Sequence, residues 1–223
     1  MCDVVQPWAH GVVFRTPSAP DFWDGNFVRV EDELDGPAMH AAADELLAGE
    51  RHRKLDVVDE RVGAAARPYF AALGWMNERL AMMRRCGPPP GPPARAAVEV
   101  ALDATRTLRA EWYADYEGDY TSQLGFAESQ ELVMARRGMR AFMVGDAGFV
   151  TLAAGAEIDQ LYVRPAARGE GIGTALLAAA LRAGDAAVTW VVADDEGRAR
   201  SLYERTGFET VWTPHSFVRV PTD

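Results

Sequence analysis

A glycine-rich turn between a predicted strand and a predicted helix is the feature that most constrains the fold of this chain. Residues 158–163 form an apolar run that predicts a strand, which Arg164 and Pro165 end. Residues 168–174 then contain three glycines, and leucines and alanines at helical spacing predict a helix over residues 171–182. The turn therefore joins a strand to the N-terminus of a helix.

This turn is suited to bind a phosphate group. Glycines let the backbone approach a ligand closely, and the first turn of a helix offers unpaired N–H groups and the positive end of its dipole. Arg168 adds a charged donor. The spacing is neither that of a P-loop, because no Gly-Lys-Ser/Thr follows, nor the Gly-x-Gly-x-x-Gly of a dinucleotide-binding turn. A glycine-rich turn that binds no ligand is the alternative.

A proline-rich run divides the chain. Residues 87–93 contain only glycine and proline, and consecutive prolines favour an extended, semi-rigid linker. The run separates residues 1–86, which are few for an independent core, from residues 94–223. We expect the shorter segment to pack against the longer one.

The longer segment mixes helices and strands. Strands are predicted over residues 97–102, 141–144, 148–152, 158–163, 187–193, 208–212 and 217–220. Helices are predicted over residues 105–116, 126–137, 171–182 and 198–206. The order is strand, two helices, three strands, helix, strand, helix and strands, which predicts a mixed α/β fold.

Charge and composition argue against several classes of protein. The net charge of −10 argues against nonspecific binding to nucleic acid or anionic lipid and suits a cationic small molecule or a basic peptide, although acidity also keeps a protein soluble. No apolar run is long enough to span a bilayer, and we expect no secretory signal because residues 1–7 contain neither a basic stretch nor an apolar run. Cys2 and Cys86 lie at no metal-ligand spacing. We therefore expect no metal site and a cytoplasmic protein.

Two motifs of the longer segment resemble those of the GNAT superfamily of N-acetyltransferases. Arg168, Gly171 and Gly173 meet its acetyl-CoA signature, Arg/Gln-x-x-Gly-x-Gly/Ala, within residues 158–177. Residues 199–208 are similar to its A-x-x-L-Y-x-x-x-G-F helix. The resemblance covers about residues 95 to 220.

The resemblance implies both a fold and an activity. The fold is α+β, with a mostly antiparallel twisted central sheet, a splayed central strand pair and flanking helices, preceded by a smaller GNAT-like α/β segment. The activity is transfer of an acetyl group from acetyl-CoA to a primary amine of a small molecule or peptide. A non-catalytic acyl-CoA-binding or sensor module is the alternative. A homodimer is left open.

The resemblance also assigns roles to residues along the strand and the turn. Tyr203 matches the family's tyrosine beside the CoA sulfur, and a phenol can protonate the leaving thiolate; a tyrosine that only packs on the helix's inner face is the alternative. A backbone N–H within residues 161–163 is the implied oxyanion donor. The implied cofactor-binding residues are Leu161, Tyr162, Val163, Arg168, Gly169, Glu170, Gly171, Ile172, Gly173, Thr174 and Tyr203.

Two carboxylates are candidate bases for the amine, which must lose a proton before it attacks. Glu157 opens the predicted strand, and its spacing to Arg168 resembles that of the glutamate base in the histone-acetylating branch of the family. Asp159 lies on the same strand face. Either serves only if burial raises its pKa or a water relays the proton. A solvated glutamate at a strand end is the alternative.

The chain departs from the family pattern at Glu196, where family members often have asparagine.

An aromatic and acidic segment is the candidate acceptor site. Trp112 and Tyr116 are neighbours at i,i+4 on a predicted helix, as are Glu111 and Asp115. Because aromatic faces and carboxylates suit a cation, Trp112, Tyr116 and Asp115 are candidate substrate-binding residues. Packing of the aromatic rings on the N-terminal segment is the alternative.

The N-terminal segment contains an apparent repeat of the second motif. Residues 66–75 align without gaps on residues 199–208, with Phe70 in the place of Tyr203. Nothing upstream resembles the glycine-rich signature. We therefore predict that residues 1–86 are a degenerate GNAT-like half that does not bind CoA in the usual way, with chance similarity as the alternative.

Overall fold

The computed structural model describes residues 2–114, 125–154, 156–184 and 186–221. Within these ranges, twelve strands form one sheet that helices flank on both faces. No helix of the described ranges is long and apolar enough to cross a membrane.

The strands are β1 Val4–Trp8, β2 Gly11–Arg15, β3 Phe27–Val30, β4 Arg53–Val57, β5 Met76–Cys86, β6 Val98–Val100, β7 Arg140–Met143, β8 Gly148–Leu152, β9 Glu157–Val163, β10 Val188–Asp194, β11 Glu209–Trp212 and β12 His215–Arg219. The α-helices are α1 Gly36–Leu46, α2 Glu60–Ala72, α3 Arg106–Ala114, α4 Phe126–Arg136, α5 Ile172–Ala183 and α6 Arg198–Arg205.

The mixed α/β fold predicted from the sequence is confirmed. The strands follow the order β1-β2-β3-β4-β12-β5-β10-β9-β8-β7-β6, and β11 pairs with β5. Neighbours run antiparallel, except that β3 pairs parallel with β4 and β9 with β10. The elements predicted over residues 97–220 are present with shifted bounds; the last two residues of the predicted helix 105–116 lie outside the described ranges.

The central parallel pair is splayed, as expected. Strands β9 and β10 are paired only at Trp190 with Glu157 and at Val191 with Ile158. Beyond Ile158, β9 contains a β-bulge, where two residues face the single residue Thr151 of β8. Because the bulge shifts the register and bends the strand, β9 parts from β10.

The bulge also changes which face of the sheet each side chain of β9 occupies. Ile158 packs in the core beneath α5 and α6, whereas Tyr162 packs with Leu108 of α3 on the other face. The alternation of an unbroken strand would have placed Ile158 and Tyr162 on one face. Asp159 and Gln160 therefore both face α3 and α4, and Leu161 faces α5.

The two segments on either side of the proline-rich run exchange strands. Strand β12 lies between β4 and the first part of β5, and the second part of β5 pairs with β10 and β11. Phe217 of β12 is fully buried and stacks on Phe70 of α2 at 4.4 Å between ring centroids. The division into residues 1–86, 87–93 and 94–223 stays a prediction, since each half is completed by a strand from the other.

The repeat recognised in the sequence is structural. Helices α2 and α6 end in the same way, with an N–H of Trp75 donating to the Phe70 carbonyl and an N–H of Phe208 donating to the Tyr203 carbonyl, both at 3.0 Å. The preceding residue is in each case a glycine in the left-handed region, with φ of 73° at position 74 and 91° at position 207. The shared helix end supports two related halves.

Replacing Phe217 by alanine is expected to destabilise both halves together. Removal of a fully buried phenyl ring costs about 3–5 kcal/mol, and β12 contributes hydrogen bonds to β4 and β5. Urea unfolding followed by far-UV circular dichroism should show one transition at lower urea. The control Val98→Ala, at an exposed edge position, should change little. Two separate transitions, only one of them shifted, would contradict a shared sheet.

Candidate functional site

A cleft of about 870 Å³ opens where β9 and β10 part, a volume within the range of small-molecule sites. The glycine-rich turn and α6 line one end, and Asp159 and Trp112 line the other. Because α6 and α3 cover opposite faces of the sheet, the cleft passes through the gap between the strands. The predicted cofactor-binding residues that line it are Leu161, Tyr162, Val163, Arg168, Gly169, Gly171, Ile172, Gly173, Thr174 and Tyr203.

Four residues predicted for the site lie elsewhere or are not described. Glu170 is outside the cleft lining, and its carboxylate forms an exposed ion pair with Arg95 at 3.0 Å. Glu157 is also outside the lining. Asp115 and Tyr116 lie outside the described residues. Their predicted roles stay predictions.

The glycine-rich turn presents the open N-terminus of α5. Gly171 is the N-cap residue, with φ of 78°, and no side chain in the described part of the chain caps the helix. The first helical hydrogen bond runs from the Ala175 N–H to the Gly171 carbonyl, so the N–H groups before Ala175 have no partner within the helix. A Cβ at position 171 would meet no atom within 4 Å, so space for a ligand remains beside the turn.

Gly173 has a different role. A Cβ there would lie 2.8 Å from Leu202 Cδ2, which is closer than two non-bonded carbon atoms approach each other. The glycine therefore lets α5 pack tightly against α6, which carries Tyr203. The motif combines an open turn with a close helix contact.

Three arginines make the turn end of the cleft cationic. The Arg168 Nε donates to the Val163 carbonyl at 3.1 Å, which holds its guanidinium against the turn. Arg198 and Arg205, at the two ends of α6, also line the cleft, and within the described ranges neither forms an ion pair. Sequence reasoning missed them; their place on the helix of the second motif was the available signal.

Tyr203 is buried and also reaches the cleft. Its ring is 4% exposed and packs edge-on against Phe208 at 5.6 Å between centroids. The same residue contributes to the cleft lining. Tyr203 therefore packs on the inner face of its helix and also lines the cleft; its role as the acid stays a prediction.

Asp159 and Glu157 share one arginine. Arg137, at the end of α4, approaches Asp159 Oδ1 at 3.3 Å and also forms an ion pair with Glu157. Burial raises the pKa of Asp159 to about 6; the Arg137 guanidinium opposes this rise and the Glu157 carboxylate adds to it. The Asp159 side chain is still 20% exposed. It is therefore accessible from the cleft and more basic than an ordinary carboxylate.

The acidic residues that precede α6 have separate structural roles. Asp195 is buried and forms ion pairs with Arg79 of β5 and Arg200 of α6. The Asp194 carboxylate lines the cleft and accepts the Glu196 N–H at 3.0 Å. Glu196, the departure from the family pattern, is outside the lining.

An arginine network positions Trp112 at the second end of the cleft. The Arg164 guanidinium donates to both carboxylate oxygens of Glu111, at 2.7 and 2.8 Å, and to Asp146 at 2.7 Å. Parallel hydrogen bonds of this kind fix orientation as well as distance. Arg164 therefore holds α3, and with it Trp112, against the loop after β9. Glu111 is neutralised by this pair.

In the described part of the N-terminal half, the equivalent helix N-terminus is closed. The Asp35 carboxylate caps α1 by accepting the Ala38 N–H at 2.8 Å, and a proline occupies the first turn. Residues 31–35 carry four carboxylates, which repel phosphate. Strands β3 and β4 are paired from Val28 to Val30, so no gap opens between them there.

The chain matches a family model and several solved structures. The model described as an acetyltransferase (GNAT) domain matches residues 128–210. A functionally unknown conserved protein from Staphylococcus epidermidis is 13% identical, with a TM-score of 0.73 over 99% of this chain and 95% of that chain. A GCN5-related N-acetyltransferase from Kribbella flavida is 17% identical, with a TM-score of 0.61 over 98% and 90%.

A third solved structure resembles the chain along both halves. A tandem GNAT protein from the clavulanic acid biosynthesis pathway is 16% identical, with a TM-score of 0.51 over 96% of this chain and 80% of that chain. At these identities the likeness shows the fold. A search of curated protein sequences found no match.

Proposed function

We propose that the protein transfers an acetyl group from acetyl-CoA to a primary amine, because a GNAT acetyltransferase domain model matches residues 128–210 and the fold resembles that of a tandem GNAT protein. The observation that carries the proposal is the cleft between β9 and β10. It joins an open, cationic helix N-terminus at one end to the basic carboxylate of Asp159 at the other. Tyr203 lies in its lining.

The cleft fits acetyl-CoA in charge and shape. The free N–H groups of α5 and the Arg168 guanidinium suit the pyrophosphate. Arg198 and Arg205 supply charge for the remaining phosphate. Past Ile158 the edge of β9 that faces β10 has no strand partner among the described residues, so its backbone groups can pair with the amides of the pantetheine arm.

The residues of the cleft fit the chemistry of acetyl transfer. Asp159, directly or through a water, accepts the proton that the amine loses, and a base with a pKa of about 6 is better matched to this task than an ordinary aspartate. The amine nitrogen then bonds to the carbonyl carbon as the carbon–sulfur bond breaks. Tyr203 donates its phenolic proton to the thiolate. Backbone N–H groups within residues 161–163 stabilise the oxyanion.

On the acceptor side, Trp112 lines the cleft and supplies an aromatic face for a cationic amine. Contributions from Asp115 and Tyr116, a cytoplasmic location and a homodimer stay predictions.

Acetyl-CoA is expected to stabilise the protein thermally. At about 100 times Kd, binding adds about 2.7 kcal/mol to the free energy of unfolding, which raises Tm by about 5–10 °C for a chain of this length. Gly171→Val should remove most of this rise, because a side chain would enter the open space and the residue needs a positive φ. Gly49→Val, at another open position with an ordinary φ, is the control. No shift in the wild type would exclude acetyl-CoA binding.

Tyr203→Phe is expected to lower kcat about 10²-fold, the typical contribution of general acid catalysis. The acetyl-CoA Kd should stay unchanged, because the ring is retained. Release of CoA thiol across an amine panel measures turnover. Tyr69→Phe, whose hydroxyl contacts His40 in the N-terminal half, is the matched control. If the wild type binds acetyl-CoA but acetylates no amine, the protein is a binding or sensor module instead.

The pH profile of kcat/KM is expected to fall as pH decreases through about 6, because protonated Asp159 cannot accept a proton. Asp159→Asn should lower kcat/KM about 10²-fold and remove this limb. Since Arg137 lowers the pKa of Asp159 and Glu157 raises it, Arg137→Met should move the limb to higher pH and Glu157→Gln to lower pH. A limb that persists in Asp159→Asn assigns the base to another group.

A further inference from the structure

A partly exposed apolar surface adjoins the cleft on the face of the sheet opposite α5 and α6. It consists of Trp190 and Val192 of β10, Met82 of β5 and Trp212 of β11, which together form the apolar strip. Val192 and Trp212 are both cross-strand partners of Met82, and partners in a sheet project from the same face. The strip therefore crosses three neighbouring strands.

The strip lies on the face of its strands that does not form the core. The alternate residues of the same strands, Val191 and Met83, are buried beneath the helices and form the core face. Val192 is 40% exposed and Trp212 38% exposed. The rings of Trp190 and Trp212 meet edge to face at 5.8 Å between centroids. Contiguous apolar surface of this kind marks a binding site more often than a scattered exposed residue does.

The strip is continuous with the proposed reaction centre. Val192 belongs to the strip and also lines the cleft. Trp190 is the cross-strand partner of Glu157, which shares Arg137 with Asp159. An amine held at Asp159 would therefore extend its remaining atoms over Val192.

The strip has a defined length and charge. Neighbouring strands lie about 4.8 Å apart, so the distance from β10 across β5 to β11 is about 10 Å. The adjoining row holds Arg84 and Glu209, which pair with each other at 2.8 Å. A second cation placed on the strip would meet apolar side chains and, in the adjoining row, a neutralised carboxylate.

We propose that the acceptor is a primary amine that carries an aromatic or alkyl body about 10 Å long, which lies on the apolar strip. This inference rests on the proposed acetyltransferase function and narrows its substrate class. Polyamines and short polar amines are then poor acceptors, because neither covers the strip.

A panel of primary amines tests the chain-length dependence. It contains unbranched ω-phenylalkylamines from phenethylamine to phenylhexylamine, diaminoalkanes of matched length, and ethylamine. kcat/KM should rise about 2-fold per added methylene, since the strip covers one side of the chain, whereas full burial gives about 4-fold. Each diamine should be at least about 10-fold poorer than the phenylalkylamine of the same length, because an ammonium group on the strip loses its hydration without gaining a partner.

Variants of the strip test its location. Trp212→Ser should lower the ratio of kcat/KM for phenylhexylamine to that for ethylamine about 10-fold, through KM. Val192→Thr, which keeps the side-chain shape, should lower the ratio by a smaller factor in the same direction. Val98→Ser, at the far edge of the sheet and 63% exposed, should leave the ratio unchanged. Circular dichroism and acetyl-CoA binding verify that each variant is folded.

The outcomes separate this inference from the function on which it rests. If acetyl-CoA binds and no amine is acetylated, the proposed function fails. If diamines or ethylamine react as well as phenylhexylamine, the function stands and the inference is overturned. The oligomeric states of wild type and Trp212→Ser, measured by sedimentation, provide a second test that can overturn the inference. A dimer that Trp212→Ser dissociates, with the substrate ratio unchanged, makes the strip an interface between copies.

Discussion

The separation of β9 from β10 after Ile158 is the constraint on which the site depends. Two parallel strands that stayed paired would close the sheet, and the glycine-rich turn and Asp159 would lie on opposite faces with no passage between them. The bulge opposite Thr151 ends the pairing, while strand alternation after Ile158 already directs Asp159 toward α4. The unpaired edge toward β10 and the cleft therefore follow from one irregularity in β9, and the cleft gives the glycine-rich turn and Asp159 a common passage.

The N-terminal half resembles the half that contains the candidate site, but it lacks the two features that open that site. Helices α2 and α6 both end in a hydrogen bond donated by the backbone N–H of a buried aromatic residue, Trp75 or Phe208. In the N-terminal half, however, the Asp35 carboxylate accepts one N–H of the first turn of α1, whereas no side chain of the described residues caps α5. Its strands β3 and β4 also stay paired. That half contributes strands and packing surface, and the exchange of β5 and β12 makes it part of the fold that holds the cleft open.

Local features of the site were predictable from the sequence, and contacts between distant residues were not. The glycine turn and Tyr203 lie in short motifs whose spacing fixes their geometry. The pairing of β12 with β4 joins residues such as Ser216 and Asp56, which are 160 positions apart, and no periodicity indicates such a partner. Likewise Asp159 lines the cleft and Glu157 does not, because the strands part only after Ile158, and the alternation of β9 does not reveal where they part.

Charge is distributed so that an acidic protein can bind a polyanion. The chain carries a net charge of −10, yet Arg168, Arg198 and Arg205 border one end of the cleft beside the positive end of α5. Near the other end, Asp159 and Glu157 share a single arginine, which leaves a net negative charge for a cationic amine. The cleft thus has opposite polarity at its two ends, and in the proposed reaction this polarity would orient a phosphate-bearing donor and an amine acceptor toward the gap between the strands.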